Sequence, residues 1–130
     1  MCSSDLPAVS YLEALTARAR IAAEFVQQVF SRVDVLHTPV MTMPLPTRAE
    51  TAPGATGDVM AMLARITRNT RPINFLGLPS LAVPAGFADN GLPVGFQLVG
   101  RPFDEATLFR AGDAYQRETG WHLRAPVVVA

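Results

Sequence analysis

The feature that most constrains this chain is the stretch 74–100, NFLGLPSLAVPAGFADNGLPVGFQLVG. Two apolar runs, residues 78–87 and 93–99, flank the four residues 88–91, which end in Asn90-Gly91. Asn-Gly adopts positive φ at low cost and is typical of tight hairpin turns. The stretch therefore predicts a β-hairpin with a type I′ turn at Asn90-Gly91, in which Gly91 has positive φ.

Each run of this hairpin also predicts where its strand lies in a sheet. The second run alternates with a period of two, which places Val94, Phe96 and Leu98 on one face and Gly95, Gln97 and Val99 on the other. The first run contains Pro79 and Pro84, which have no N–H to donate to a neighbouring strand. It is therefore expected at an edge of the sheet, or paired on one side only.

A long amphipathic helix is predicted near the start, over residues 11–31. Ser10 and Glu13 have the spacing of a capping box. Apolar residues follow at helical spacing: Leu12, Leu15, Ala19, Ala22, Val26, Val29 and Phe30. A coiled coil is the rival interpretation, but the apolar seam is short and mostly alanine, so a surface helix with one packed stripe is favoured.

The segment after this helix predicts a strand and a long loop. Residues 33–40 are β-branched at both ends, and the strand should end at Pro39. Residues 38–57 hold four prolines and few periodic apolar residues. Loops of this length are often lids or binding segments, and a structural crossover is equally compatible with the pattern.

A second helix is predicted from Asp58 as its N-cap until Pro72, with Val59, Met62, Leu63 and Ile66 on its apolar face. Arg65, Arg68 and Arg71 would then line one side of it. A solvated face is the favoured interpretation. The alternative is that Arg68 or Arg71 meets an anionic substrate group.

A third helix is predicted after Asp104, its N-cap, with Glu105 in the first turn. Its apolar stripe is Leu108, Ala111, Gly112 and Tyr115. Gly120 should end the helix in the left-handed conformation, with Trp121 as the accompanying apolar contact. Residues 127–129 are all valine and are expected to add an edge strand.

Composition limits the class of protein. The 130 residues are enough for about one domain, and 49% are hydrophobic. Eleven acidic and eleven basic residues balance, so neither a nucleic-acid partner nor a membrane surface is predicted. All eleven basic residues are arginine, and Cys2 is the single cysteine, which fits a reducing compartment. No apolar run is long enough to span a bilayer, and a cytoplasmic location is predicted.

The stretch 74–100, together with Arg101-Pro102-Phe103-Asp104-Glu105, resembles the C-terminal signature of the amidase signature family. The likeness extends upstream through 34–39 and covers about residues 10–118. It implies an α/β fold in which three helices pack on a small mixed sheet, as a C-terminal fragment of the larger amidase signature fold. Residues 1–9 would be an unpatterned N-terminal segment, compatible with a truncated reading frame, and residues 119–130 a C-terminal tail.

Members of this family hydrolyse or transfer amide nitrogen with a catalytic serine, a second serine in a cis peptide, and a lysine. The resemblance implies that these residues lie upstream of the signature. This sequence has no lysine and no Gly-Gly-Ser-Ser-Gly run. No catalytic residue is therefore assigned, and the chain alone is predicted to be inactive.

Other catalytic arrangements have little support in the sequence. Ser80 is the one serine on a buried-looking element, but it lacks the flanking glycines of a nucleophile elbow. A pairing of Ser80 with His37 is disfavoured, and Asp34 and His37 would point to opposite faces of a strand. Two distant histidines and one thiol near the terminus make no metal site. No cofactor is predicted.

The remaining candidates line a substrate pocket. The resemblance places the segment 67–78 beside the substrate cleft, so Thr70, Asn74 and Phe75 are pocket candidates. Asn74 could instead simply close a backbone turn. In the tRNA-dependent amidotransferases of the family, an aspartate that helps hold the donor glutamine stands where this chain has Thr67. This departure favours a general amidase.

Three functional hypotheses follow. The favoured one is the C-terminal part of an amidase signature hydrolase that acts on a small amide substrate in the full-length enzyme. The second is a fragment of the A subunit of a glutamine-dependent tRNA amidotransferase. The third is a non-catalytic α/β module that binds a partner protein through an exposed sheet edge. A homodimer or other self-association is compatible with each.

Overall fold

The computed structural model describes residues 7–52 and 58–125. The helices are α1 (Ala8–Phe30), α2 (Arg48–Thr51), α3 (Val59–Ile66), α4 (Thr70–Leu76) and α5 (Glu105–Thr119), and the strands are β1 (Leu36–Pro39), β2 (Ser80–Phe87) and β3 (Pro93–Val99). A 3₁₀ turn, Trp121–Leu123, follows α5. The predicted α/β class, with helices on a small sheet, is confirmed. The described pairings are both antiparallel, so the sheet is not mixed in strand direction.

The predicted hairpin is confirmed as β2 and β3, which pair from Ser80 opposite Val99 to Phe87 opposite Pro93. The strand order is β1-β3-β2, so β2 is an edge strand of the described sheet, as its prolines require. A bulge lies between Pro84 and Gly86. The edge position of β2 therefore agrees with the missing N–H of Pro84.

The turn between these strands differs from the type I′ prediction. Gly91 has φ +76°, as predicted, but Asn90 does not have the positive φ that a type I′ turn at Asn90-Gly91 needs. The Gly91 N–H donates to the Ala88 carbonyl at 2.8 Å, and the Ala88 N–H donates to the Leu92 carbonyl at 2.9 Å. The Asn90 side chain accepts from the Leu92 N–H at 3.2 Å. The loop is thus longer, and only its glycine is left-handed.

The two faces of β3 bury two apolar clusters, as the period-two pattern predicts. Val99 packs with Phe30, Ile73 and Leu78, between the sheet and helices α1 and α4. Leu98 packs with Val83 and Leu108 under α5. Phe96, on the same face as Leu98, meets Tyr115 edge to face at 4.9 Å between ring centroids. The sheet is therefore covered by helices on both sides.

Helix α1 begins earlier than predicted, at Ala8 with Pro7 as its N-cap. The capping box at Ser10 and Glu13 is wrong, because both residues already lie inside the helix. Pro7 starts a helix well, since its fixed φ suits the position and its carbonyl accepts from the Tyr11 N–H at 3.1 Å. Of the predicted stripe, only Val26, Val29 and Phe30 pack on the core, and Phe25, which is not in that stripe, packs there as well.

The loop after β1 contains a short helix, α2, that the proline-rich pattern does not reveal. Thr47 and Glu50 form a capping box: the Glu50 carboxylate accepts from the Thr47 N–H at 2.7 Å, and the Glu50 N–H donates to the Thr47 hydroxyl at 3.3 Å. β1 ends at Pro39 as predicted. Whether the loop is a lid or a crossover stays open.

The predicted second helix is in fact two. Asp58 caps α3 as predicted, accepting from the Ala61 N–H at 2.9 Å. Pro72 does not end this helix but lies in the first turn of α4, where a backbone N–H would have no helical partner. Arg65 is therefore on α3, Arg71 on α4 and Arg68 between them, and the predicted arginine face of a single helix is wrong.

Helix α5 matches its predicted stripe, with Leu108 and Gly112 buried. Asp104 stands at the N-cap, but its carboxylate accepts from the Thr107 hydroxyl at 2.7 Å rather than from a backbone N–H. Gly120 ends the helix at φ +63°, and Trp121 then packs on Phe87 of β2. The valines 127–129 lie outside the described residues. No helix in the described ranges is long and apolar enough to cross a membrane.

Candidate functional site

The three predicted pocket residues, Thr70, Asn74 and Phe75, all lie on α4, and Thr67 lies on the turn before it. Thr67 ends α3, where its hydroxyl donates to the Leu63 carbonyl at 2.8 Å. Thr70 begins α4, and its hydroxyl is 3.4 Å from the Thr67 carbonyl. Both are half-buried. The two threonines are thus joined at what we call the α3–α4 junction, residues 67–70.

Asn74 and Phe75 follow one turn later on the same helix, and both are exposed. Phe75 leaves 46% of its surface accessible, which is high for a phenylalanine, and its carbonyl accepts from the Arg18 guanidinium of α1. The Asn74 carbonyl accepts from the Gly77 N–H at 3.1 Å, so its main chain does close the helix end. The assignment of Thr70, Asn74 and Phe75 to a pocket stays a prediction.

A buried polar network beside this junction has Gln97 of β3 at its centre. Gln97 is only 3% exposed. Its amide nitrogen donates to the Thr38 hydroxyl at 2.9 Å and to the Asn69 carbonyl at 3.0 Å, and its amide oxygen accepts from the Ser80 hydroxyl at 3.1 Å. The Asn69 side chain donates to the Pro39 carbonyl at 2.8 Å. The network therefore joins all three strands to the α3–α4 junction.

Sequence reasoning places Gln97 on the correct face but gives it no role. The available signal is a long polar side chain at a buried position of an otherwise apolar strand. Such a residue must find partners for its amide, and these come from three separate parts of the chain. The partners themselves cannot be read from spacing, since Thr38, Asn69 and Ser80 are distant from Gln97 in sequence.

The sheet separates the residues of the disfavoured hidden triad. Ser80 donates to Gln97 on the face toward α4. His37 lies on the opposite face, with its ring 4.6 Å from that of Phe96. Asp34 lies before β1 and pairs with Arg101 at 3.0 Å instead. Ser80 and His37 therefore cannot act together without rebuilding the sheet.

A second concavity lies between the loop after β1 and the hairpin. It encloses about 420 Å³ and is lined mainly by apolar side chains, among them Met41, Met43, Leu45, Pro84, Leu92 and Val94. In the described part of the chain, no three histidine, cysteine or acidic residues come together as metal ligands. The predicted pocket wall of Thr70, Asn74 and Phe75 lies on the helix that follows the junction to which Gln97 is hydrogen-bonded.

Comparison with known proteins decides the family. The family model described as Amidase matches residues 1–109. This chain belongs to the amidase family. The C-terminal signature recognised in the sequence is thereby confirmed.

Two relatives found by sequence match most of this chain, but this chain matches only a small part of each relative. The A subunit of glutamyl-tRNA(Gln) amidotransferase from Chloroflexus aggregans is 51% identical over 117 residues, which are 89% of this chain and 22% of the relative. Its counterpart of the same name from Roseiflexus castenholzii is 47% identical over 118 residues, or 91% and 23%. The chain therefore spans less than a quarter of the length of these amidase-family relatives.

A solved structure supports the fold. The structure of 6-aminohexanoate cyclic dimer hydrolase superposes with a TM-score of 0.83 at 20% sequence identity, covering 96% of this chain and 27% of the hydrolase. At that identity the likeness concerns the fold alone. The helices and sheet described above are therefore an arrangement found within a larger hydrolase.

Proposed function

We propose that this chain is the C-terminal part of an amidase-family hydrolase that cleaves the carbon–nitrogen bond of a small amide. The family match over residues 1–109 is the observation that carries the proposal. The Ser–cis-Ser–Lys triad of such an enzyme would be supplied by sequence upstream of the signature, because this chain contains no lysine. Its own contribution would be the pocket wall formed by Thr70, Asn74 and Phe75.

The chemistry at the α3–α4 junction favours a neutral amide over glutamine. A carboxylate could pair with the α-ammonium group of an amino acid through a charge-assisted hydrogen bond. Thr67 carries no charge, and its hydroxyl hydrogen is already donated to the Leu63 carbonyl. The α-ammonium group of glutamine would therefore have no carboxylate to pair with at position 67, where the resemblance places an aspartate in the tRNA-dependent amidotransferases.

The second candidate is the A subunit of a glutamine-dependent tRNA amidotransferase. Its support is that relatives of 51% and 47% identity carry the name of that subunit in a glutamyl-tRNA(Gln) amidotransferase. Both candidates belong to one family and share the amide-cleaving step. They differ in whether the pocket accepts the amino-acid end of glutamine.

A chimera separates these two candidates. The matching 117 residues of the Chloroflexus aggregans relative would be replaced by those of this chain, and hydrolysis of glutamine and of a simple aryl amide would be measured. We expect aryl-amide hydrolysis to persist and glutamine turnover to fall about tenfold, the effect of one lost charge-assisted hydrogen bond. Thr67→Asp should restore glutamine turnover.

The matched control is Ala64→Asp, which adds the same charge at an exposed position one turn earlier on α3. It should leave glutamine turnover low. Glutamine hydrolysis at the parent's rate with Thr67 in place would favour the amidotransferase instead. A folded chimera inactive on both substrates would contradict the proposal that these residues complete an amidase site.

A further inference from the structure

We propose that Gln97 is a positioning residue whose buried amide fixes the α3–α4 junction against the sheet, and through it sets the positions of Thr67 and of Thr70, the first residue of the proposed pocket wall. The consequence for substrate rests on the proposed function. The positioning of the junction is a property of this chain alone. The two parts can therefore be tested separately.

Burial and hydrogen bonding together support this role. A glutamine that is 3% exposed has left water, and its burial is tolerated only if its amide is paired. The amide nitrogen of Gln97 donates to Thr38 and Asn69, and its oxygen accepts from Ser80. Two of these partners belong to the neighbouring strands. The third belongs to the junction.

The bond to the junction also fixes which way the amide faces. Thr38 and Ser80 offer hydroxyls, which can donate or accept, but the Asn69 carbonyl can only accept. The nitrogen of Gln97 must therefore face Asn69. The Asn69 side chain returns to the sheet by donating to the Pro39 carbonyl at 2.8 Å. One residue of the junction is thus held to β3 and β1 by two separate bonds.

Asn69 lies between the two threonines, so its position affects both. The Arg71 N–H donates to the Thr67 carbonyl at 2.9 Å, and the Thr70 hydroxyl approaches that same carbonyl. A shift of Asn69 would therefore move Thr67 and Thr70 together. The far end of α4 has a separate tie, from Arg18 to the Phe75 carbonyl, and should move less.

Hydrogen exchange of residues 1–130 tests the positioning without any catalysis. Gln97→Met keeps the length of the side chain and removes the amide. The control, Leu108→Val, trims the core on the opposite face of the sheet. We expect Gln97→Met to raise exchange at the Thr67 and Arg71 amides about tenfold beyond any change in the rest of the protein, and Leu108→Val to show no such local excess.

Asn69→Ala is the second variant, because it removes the bond to Pro39 while leaving Gln97 intact. It should raise exchange at the same two amides. Exchange that rises evenly across the chain in both network variants, as in the core control, would overturn the positioning role. So would exchange at the junction that stays at the wild-type rate.

Steady-state kinetics of the chimera described above test the link to substrate. A misplaced pocket wall weakens binding, so Gln97→Met should raise KM for the aryl amide about tenfold while kcat stays within about threefold. A merely structural role would lower the folded fraction, which reduces apparent kcat at unchanged KM, as expected for Leu108→Val. An unchanged KM together with raised local exchange would overturn the pocket link and leave the positioning role standing.

Discussion

Gly91 is limited by its backbone conformation rather than by packing. It has φ +76°, and a Cβ added there would meet nothing within 4 Å. Gly91→Val should therefore cost about 1–2 kcal/mol of unfolding free energy, because a β-branched residue is strained in the left-handed region. Urea denaturation measures this loss. Gly91→Asn is the control and should cost less, since asparagine tolerates that region; equal stabilities for Val and Gly would contradict the assignment.

Arg101 connects the end of α1 to the segment before α5, and its contacts contribute unequally to the free energy of unfolding. Its guanidinium donates to the Phe30 carbonyl at 2.7 Å and pairs with Asp34 at 3.0 Å. The Asp34 side chain is 85% exposed, so Asp34→Ala should cost less than about 1 kcal/mol. Arg101→Met should cost about 1–3 kcal/mol, because a charged donor to a helix-end carbonyl is lost.

Chemical denaturation of the two single variants and of the double variant measures these costs. The double variant should be about as stable as Arg101→Met alone. Equal losses in the two single variants would show that the surface ion pair, and not the carbonyl bond, stabilises this corner.

Residues that act through backbone conformation are predictable from sequence, while those that act through distant partners are not. Gly91 and Gly120 indicate their positive φ by residue type and position. Gln97 and Arg101 instead contact residues that only the fold brings near. The spacing of residues in one sequence contains no information on such partners.

Among the elements, α2 depends most on one short-range contact. The Thr47 hydroxyl and the Thr47 N–H both donate to the Glu50 carboxylate and hold its pKa below the ordinary value, and the hydroxyl has the larger effect. The stability that this carboxylate gives α2 is therefore fully present above the pKa of an uncapped glutamate. It is lost as pH falls through the lowered pKa of Glu50. The α2 turn should fray in that acidic window.

NMR titration of the Thr47 and Glu50 amides follows this transition. Thr47→Ala should raise the midpoint, because the largest cause of the lowered pKa is removed. Glu50→Gln keeps the capping geometry without a titrating group, so its amide signals should lose the transition. A midpoint unchanged by Thr47→Ala would contradict the capping box.

Periodicity predicts the longer elements and fails for the short ones. β2 and β3 are recognisable because a period of two repeats several times within seven or eight residues, and α5 is recognisable because its fifteen residues span about four helical turns. α2 and α4 have four and seven residues, and neither shows a helical repeat that stands out. Pro72 is ambiguous because proline is typical both after a helix end and at a helix start, and only the observed break after Ile66 distinguishes the two.

At the scale of the whole molecule, apolar surface predicts association. Val9, Tyr11, Leu12 and Leu15 of α1 are all exposed, and β2 is an edge strand in the described sheet. Such surfaces favour contact with other chains. The purified chain should bind a hydrophobic dye and self-associate at micromolar concentration in sedimentation experiments. Leu12→Glu should reduce both effects; a wild-type monomer without dye binding would contradict this prediction.

The overall architecture is accessible from sequence because the hairpin and its flanking helices carry long patterns. The antiparallel direction of β1 cannot be predicted in this way, since β1 pairs with β3 across a long sequence separation. The pocket residues come from the family resemblance, and the structure adds the network beside them. The spacing of Asp34 and His37 argues against a hidden triad with Ser80, and the sheet geometry, which puts Ser80 and His37 on opposite faces, excludes it as well.

Residues 1–130 alone should be catalytically silent. The proposed triad of two serines and a lysine would act as one unit, and losing such a unit typically lowers turnover about 10⁶-fold. Ser80 belongs to the network beside the predicted pocket wall, but its hydroxyl hydrogen is donated to the Gln97 amide oxygen, and no base is among the described contacts of Ser80. A fluorophosphonate should therefore leave the chain unlabelled, and aryl-amide hydrolysis should match buffer. Ser80→Ala should behave identically.

Stoichiometric labelling that Ser80→Ala abolishes would overturn the proposal of an upstream triad. Activity that returns when the matching upstream region of the Chloroflexus aggregans relative is added would support it, because the pocket wall would then meet its catalytic unit.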